Sequence, residues 1–311
     1  MDKSSENISN VFVSLQDLIK MESMAKGFSF LSRKQKVKSI LGGKHASKLR
    51  GRGLDFEEVR NYVAGDDIRN IDWKVTARTK KTHTKVFSEE KEKPALIIVD
   101  QSKSMFFGSQ HKTKSVVAAE LAALAAFRIL KEGDRVGGVV FADNGVDVVF
   151  PKRDRKNIFR FFEQIVQRNK ELELSEPVNF DVALKDVFAK VRNIISHDFL
   201  ILIISDFHRY SPEVIKELAY MSRHNDVVLA KVFDPLERDI PNAKIVAGSE
   251  NFQSILKGNL RKIRARFQIG FDDEYQQFEA QMKKYRIPLF KIDTVEAIDM
   301  QLKEILLKPR G

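Results

Sequence analysis

Along most of the chain, short apolar runs alternate with stretches in which apolar residues recur every three or four positions. After Pro94 the runs Ala95–Asp100, Arg135–Phe141, Val146–Phe150, Phe199–Ser205, Val227–Phe233 and Pro288–Asp293 predict strands. Helices are expected between them near Thr113–Lys131, Arg155–Arg168, Phe180–Ile194, Pro212–Arg223, Asp272–Tyr285 and Val295–Leu307. That alternation predicts an α/β fold with an open, mostly parallel sheet covered by helices on both faces. The helix from Thr113 is apolar almost all round, so it should be buried against more than one layer. The stretch from Pro235 to Gly270 has weaker periodicity and reads as a hairpin or loop followed by a basic helix start.

The first third of the chain follows a different pattern. From Val11 to Leu31 the apolar spacing is helical and predicts one or two short helices. Gly42-Gly43 and Gly51-Arg52-Gly53 then punctuate the chain. Leu54 to Lys93 mixes β-branched and aromatic residues with turn signals such as Ala64-Gly65-Asp66-Asp67, which reads as a small, mainly extended subdomain. Three parts result: a helical arm over 1–53, the subdomain over 54–93 and the α/β domain over 94–311.

Composition narrows the chemistry. The 311 residues are 43% hydrophobic, enough for a full core, and contain no cysteine. A disulfide framework, a thiolate metal site and a Cys nucleophile are therefore excluded, and a reducing compartment is the expected setting. The most apolar stretch, Ser115 to Leu130, is interrupted by Glu120 and Arg128 and is shorter than the roughly 18 residues that suggest a membrane span. The N-terminus lacks the basic start, apolar centre and cleavage site of a secretory signal, so the cytoplasm is the expected location. Of the net charge of +11, the arm supplies +7. Arg33, Lys34, Lys36, Lys38, Lys44, Lys48, Arg50 and Arg52 follow one another with no acidic residue between them. Such a surface suits phosphates, a peripheral membrane contact or an acidic partner.

Two of the predicted strands end in acids. Ile97-Ile98-Val99-Asp100 runs into Gln101-Ser102-Lys103-Ser104, and Leu202-Ile203-Ile204-Ser205 runs into Asp206. In an open α/β sheet, ligands bind beyond the carboxyl ends of the strands. Two carboxylates and two hydroxyls there offer oxygen donors to a hard cation such as Mg²⁺ or Mn²⁺. A coordination position left open on the ion can take a carboxylate from another molecule, which is a route to partner binding.

The pattern Asp100-x-Ser102-x-Ser104 with Asp206 at a later strand end resembles the metal-ion-dependent adhesion site of von Willebrand factor A-type domains. The resemblance implies that the serines contact the metal and that the aspartates act mostly through water. It also implies a threonine ligand from a middle loop, where this chain has Val178 followed by Asn179 and Phe180; valine cannot coordinate a metal, and Asn179 or Asp181 is the nearest substitute. Upstream, Gly51-x-Gly53-x-x-Phe56-x-x-x-Arg60-x-Tyr62-x-x-Gly65-Asp66-x-x-Arg69-x-Ile71-Asp72-Trp73-x-x-x-Ala77-Arg78 closely resembles the signature of a bacterial domain-of-unknown-function family, number fifty-eight. Its members resemble von Willebrand A domains and are typically encoded beside MoxR-type AAA+ ATPases. The resemblance implies a non-enzymatic adaptor that works with such an ATPase, or with a client carboxylate, in a chaperone-like or maturation system. Within the signature, Asp66, Asp67 and Asp72 interleave with Arg60, Arg69 and Arg78, which predicts an ion-pair network, with Trp73 anchored on the core.

Two rival classes have weaker support. A Mg-dependent phosphoryl-transfer enzyme would also place an aspartate at a strand end, but its usual second carboxylate two residues on is Ser102 here. Ser102, His208 and Asp206 supply the residue types of a hydrolytic triad, yet no G-x-S-x-G elbow surrounds either serine. No G-x-x-x-x-G-K-[ST] loop is present for nucleotide hydrolysis. For nucleic acid, aromatic residues do not interleave with the basic run from Arg33 to Arg52, so stacking platforms are missing.

Overall fold

The computed structural model describes residues 10–27, 46–47, 54–90, 93–174, 180–208, 210–239, 244–249, 252–257 and 261–307. Every basic residue of the run from Arg33 to Arg52 lies outside them, as do Val178 and Asn179 and the side chain of Asp181.

In chain order the elements are α1 (Leu15–Gly27), β1 (Ala46–Ser47), β2 (Leu54–Asn61), α2 (Trp73–Thr79), β3 (His83–Glu90), β4 (Ala95–Asp100), α3 (Lys114–Lys131), β5 (Val136–Ala142), β6 (Gly145–Lys152), α4 (Arg155–Glu171), α5 (Phe180–Ile194), β7 (Leu200–Ser205), α6 (Pro212–Met221), β8 (Asp226–Phe233), α7 (Pro235–Arg238), β9 (Lys244–Ser249), β10 (Phe252–Lys257), α8 (Arg261–Lys284), β11 (Leu289–Asp293) and α9 (Ile298–Leu307). The main sheet has the order β11-β8-β7-β4-β5-β6. Every pair in it is parallel except β5 with β6. This is the open, mostly parallel α/β architecture expected from the sequence.

The central strands β4, β5 and β7 are buried along their whole length because helices cover both faces. Parallel strands in that position need apolar residues at every position, hence the continuous Ile/Val/Leu runs. One face carries α3, packed with Phe161, Phe162 and Ile165 of α4 and with Leu302 of α9. Residues Lys114 through Ile129 of α3 are all buried, as its all-round apolar pattern predicts. Val13, Leu18 and Ala25, from α1 and the residues before it, belong to the same core, so this helix is a packed layer of the α/β domain. The other face is filled from α5, α6 and the C-terminal half of α8, through Leu184, Phe188, Leu218, Phe278 and Met282.

The segment before Pro94 is more mixed than its turn-rich sequence suggests. A three-stranded antiparallel sheet of order β1-β3-β2 is interrupted between β2 and β3 by a 3₁₀ turn and by α2. Asp67 and Asp72 are helix caps: Asp67 accepts from the Arg69 amide, and Asp72 accepts from the Lys74 and Val75 amides at 3.0 Å each. Of the expected ion pairs, Arg60 with Asp66 is well formed at 2.7 Å, while Arg69 lies 3.9 Å from Asp67 and Asp72 turns to Lys85 at 3.7 Å. Local capping thus replaces most of the network, because short polar side chains at a helix start satisfy backbone amides first. Trp73 does not anchor the segment on the core; it is 70% exposed.

After α7, β9 and β10 form the hairpin that the weak periodicity left open. The following helix starts at Arg261 rather than Asp272 and runs for 24 residues.

At Gly138 on β5 a Cβ would lie 2.1 Å from the Phe161 ring, so only glycine lets α4 lie this close to the sheet. Phe161 is fully buried and has nowhere to retreat. Gly138→Ala is expected to cost about 2–3 kcal/mol through overpacking, read as a lower urea midpoint at unchanged m-value; an unaltered midpoint would show that the sheet and α4 are not in this contact.

Candidate functional site

Strand register assembles the site. Val99 of β4 sits opposite Ile204 of β7, and Ser205 of β7 sits opposite Lys231 of β8. Asp100, Ser205, Asp206 and Lys231 therefore meet at one edge of the sheet. All five parallel strands deliver an aspartate there: Asp100 and Asp293 end β4 and β11, while Asp143, Asp206 and Asp234 follow β5, β7 and β8 directly.

Asp100 is fully buried, and both its oxygens are engaged. One accepts from the Ser102 amide at 2.8 Å and the other from the Ser205 hydroxyl at 2.6 Å. Ser102 and Ser104 follow on a tight loop with their hydroxyl oxygens 3.2 Å apart. Between them, the Lys103 amide donates to Asp143 at 2.5 Å, and its ammonium reaches the carbonyls of Leu172 and Glu173. The second oxygen of Asp143 is buried and has no hydrogen-bond donor among the described residues. Gln101 fixes the loop from below, donating to the Ser115 carbonyl at 3.0 Å and accepting from Asn169 at 2.9 Å; Asn169 in turn accepts from the Val13 amide.

Asp206 is held differently. One oxygen accepts from the His208 amide at 3.1 Å, and the other faces the Lys114 ammonium at 3.0 Å. Lys114 also binds Glu237 at 2.6 Å. Lys114 and Asp206 are only 3% and 5% exposed. A cation in the first turn of a helix opposes the helix dipole, and a buried ammonium loses its hydration, so two carboxylates are needed to hold Lys114 there. Lys231, from the neighbouring strand, donates to the Asp206 carbonyl.

These contacts shift the titrations. Asp100 is pushed up to about 7, first by burial and then by the charge of Asp206, against the hydrogen bonds from Ser205 and Ser102. At Asp206 burial acts upward, but Lys114 and the His208 amide outweigh it and hold the carboxyl below its usual range. For Lys114 burial acts downward and is outweighed by Asp206 and Glu237, so its pKa is raised; at Lys231 burial outweighs the charges of Asp206, Glu274 and Glu237, and its pKa is lowered. Two carboxylates at one site with opposite shifts mean that the pair resists carrying two negative charges.

The structure brings together all four residues singled out in the sequence, Asp100, Ser102, Ser104 and Asp206. Their donor types suit a hard divalent cation, with two hydroxyls in contact, the adjacent Asp100 carboxylate and a buried Asp143 oxygen with no donor beside the same loop, although among the described residues no three carboxylates or imidazoles converge as a metal cluster would. Lys114 sets the condition, since an ion there would compete with its ammonium for Asp206. Sequence reasoning missed Lys114, Lys231, Asp143 and Glu237. The available signals were two lysines out of place, one opening an otherwise apolar helix and one inside the apolar run of β8. The triad types do not assemble. His208 meets Asp206 only through its amide, and its imidazole is 66% exposed and lies 3.3 Å from Glu274.

The family described as "Protein of unknown function DUF58" matches residues 58–276. The chain belongs to this family. The match takes in Asp100, Ser102, Ser104, Lys114, Asp206 and Lys231, so the cluster around Asp100 and Asp206 lies within the DUF58 region, and Asp293 beyond it. Among curated proteins, the uncharacterized proteins Mb1516 of Mycobacterium bovis and Rv1480 of Mycobacterium tuberculosis are each 27% identical over 213 residues, 68% of this chain and 65% of theirs. The chain thus spans just under two thirds of the length of these relatives. Among solved structures it is similar to the conserved hypothetical protein BatB from Bacteroides thetaiotaomicron, with 14% identity, 68% of this chain, 94% of that one and a TM-score of 0.41. It is also similar to the SpRpn10 VWA domain, with 12% identity, 69% and 95% coverage and a TM-score of 0.38.

Two predictions follow from the electrostatics. Asp100 holds its proton more tightly in the folded chain than in the unfolded one, so with chelator present the folded state binds more protons between about pH 4 and 7 and stability falls as pH rises through that window. Asp100→Asn is expected to flatten that slope in urea unfolding; an unchanged slope would place the effect elsewhere. Lys114→Met leaves Asp206 uncompensated and is expected to cost about 3 kcal/mol in chelator, with Mg²⁺ restoring stability and binding more tightly than to the parent protein; equal Mg²⁺ affinity in the two would show that Lys114 and the ion do not compete.

Proposed function

We propose that this DUF58 protein is a non-enzymatic protein-binding adaptor whose docking face is the carboxyl edge of its parallel sheet. The proposal extends to a MoxR-type AAA+ ATPase as its working partner, in a chaperone-like or maturation system of the cytoplasm. The carrying observation is the composition of that edge. It concentrates carboxylates, hydroxyls and two buried lysines around Asp100 and Asp206, and among the described residues no hydroxyl there is paired with an imidazole and no glycine-rich loop lies beside it. Such an edge can grip a partner's polar side chains through fixed dipoles and charges.

Mg²⁺ or Mn²⁺ is the cation this reading assigns to Asp100, Ser102, Ser104 and Asp206; once bound, it would supply an open coordination position for a partner carboxylate. The protein's own residues do the rest. Gln101 and Asn169 hold the Ser102–Ser104 loop, Ser205 orients Asp100, and Lys114 keeps Asp206 in place while no ion is present. No helix among the described residues is long and apolar enough to cross a membrane.

Calorimetric titration with Mg²⁺ and Mn²⁺, alongside association with the ATPase, tests this reading on the parent protein and on Asp100→Ala. Loss of cation-dependent association in a folded Asp100→Ala variant is the expected result. Undiminished association would remove the strand-end site from the binding face.

A further inference from the structure

A cavity of about 520 Å³ opens beside Asp206, between the ends of β7 and β8 and the N-terminal half of α8. Its lining includes Lys231, Arg266, His208, Phe271 and Tyr275. Three carboxylates, Asp206, Glu237 and Glu274, line it against two cations, Lys231 and Arg266, so what favours an anion there is unused hydrogen-bonding capacity and not net charge. The acids at its wall already have partners in the fold: Asp206 and Glu237 share Lys114, and Glu274 faces His208. The cations do not. Lys231 is 8% exposed, and its hydrogen bond goes to a neutral carbonyl, that of Asp206. Neither Lys231 nor Arg266 forms an ion pair among the described residues. A buried ammonium with one neutral acceptor has unused N–H donors at a cavity wall, and burial makes an incoming anion worth more there than at the surface.

The mouth adds a second preference. Phe267 and Ile269 on α8 are 41% and 60% exposed, and Phe267 lines the cavity. Apolar side chains left in water next to a buried ammonium suit an extended segment of polypeptide better than a free inorganic anion. The aromatic faces inside are already taken by lysines of the fold, Lys231 over Phe271 and Lys291 3.4 Å from the Tyr275 centroid, which disfavours a cationic ligand.

We propose that this cavity receives an acidic side chain of a protein partner, flanked in the partner by apolar residues, its carboxylate meeting Lys231 and Arg266. The inference rests on the adaptor reading and adds to it a second anchor that needs no metal ion. It lies on the β8 and α8 side of Asp206, whereas the hydroxyl pair lies on the β4 side.

The test is a methyl-NMR titration in EDTA with acetyl-Leu-Asp-Leu-amide, its Asn counterpart, and acetate. The expected result is shift changes around Lys231 and Phe271 with the Asp peptide alone, weakened about tenfold or more in Lys231→Met and in Arg266→Glu, since a hydrogen bond to a charged group is lost in each. Arg266 is exposed, so its variant remains a fair test if Lys231→Met fails to fold. Equal binding of the Asn peptide, binding of acetate as strong as that of the peptide, or no change in either variant would each overturn the proposal. ATPase association measured on the same variants separates the two readings: association that survives Lys231→Met and Arg266→Glu but fails in Asp100→Ala removes the cavity alone, whereas association indifferent to all three removes the adaptor face.

Discussion

Five parallel strands bring a carboxylate to the same edge of one sheet, and that many acids cannot crowd together in a low-dielectric setting without donors or cations to meet them. The loops of the domain are arranged around this constraint. Asp234 gathers the Ser109 and Leu236 amides and the Thr294 hydroxyl, which ties three loops together. Asp293 accepts from the Val295 and Glu296 amides and so turns the chain toward α9. Asp143 takes the Lys103 amide. Asp100, fully buried, is left close to protonation, and Asp206 remains charged because Lys114 is beside it. Structure and chemistry share these residues: the carboxylates that set the loops are the ones a cation or partner would contact.

Lys114 is the hinge of this account. It starts the most buried helix of the fold yet carries a charge that the helix dipole disfavours, so its placement is explained by Asp206 and Glu237 and not by helix formation. A fixed ammonium at a candidate cation site also changes what the site does when no ion is bound. Without Lys114, Asp206 and Glu237 would repel each other and the loop after β7; with it, the edge keeps its shape. Binding at this edge would then exchange one set of charge contacts for another.

Much of this was legible in the sequence, for identifiable reasons. The strands β4, β5, β7 and β8 are buried on both faces, so their apolar runs are continuous and their ends are sharp. Asp100, Ser102 and Ser104 lie within five residues of one another, and Asp206 ends a neighbouring strand, so local pattern and fold class sufficed to group them. Lys114 and Lys231 were not legible as site residues because their partners come from β7, β8 and α7, and strand order decides that meeting. Trp73 misled because a large aromatic in a turn-rich segment suggests an anchor, whereas the helix it opens has no buried residue at all. Its exposure instead leaves an aromatic surface on the segment before the α/β domain.

The most direct measurement is hydrogen–deuterium exchange of the protein alone and mixed with the MoxR-type ATPase proposed as its partner. The account predicts new protection at the carboxyl edge, over residues 101–109, 206–208 and 264–275, with the opposite ends of the same strands unchanged. Protection confined to residues 54–90, with the strand-end loops exchanging as in the free protein, would contradict it and move the docking face to the segment that carries Trp73.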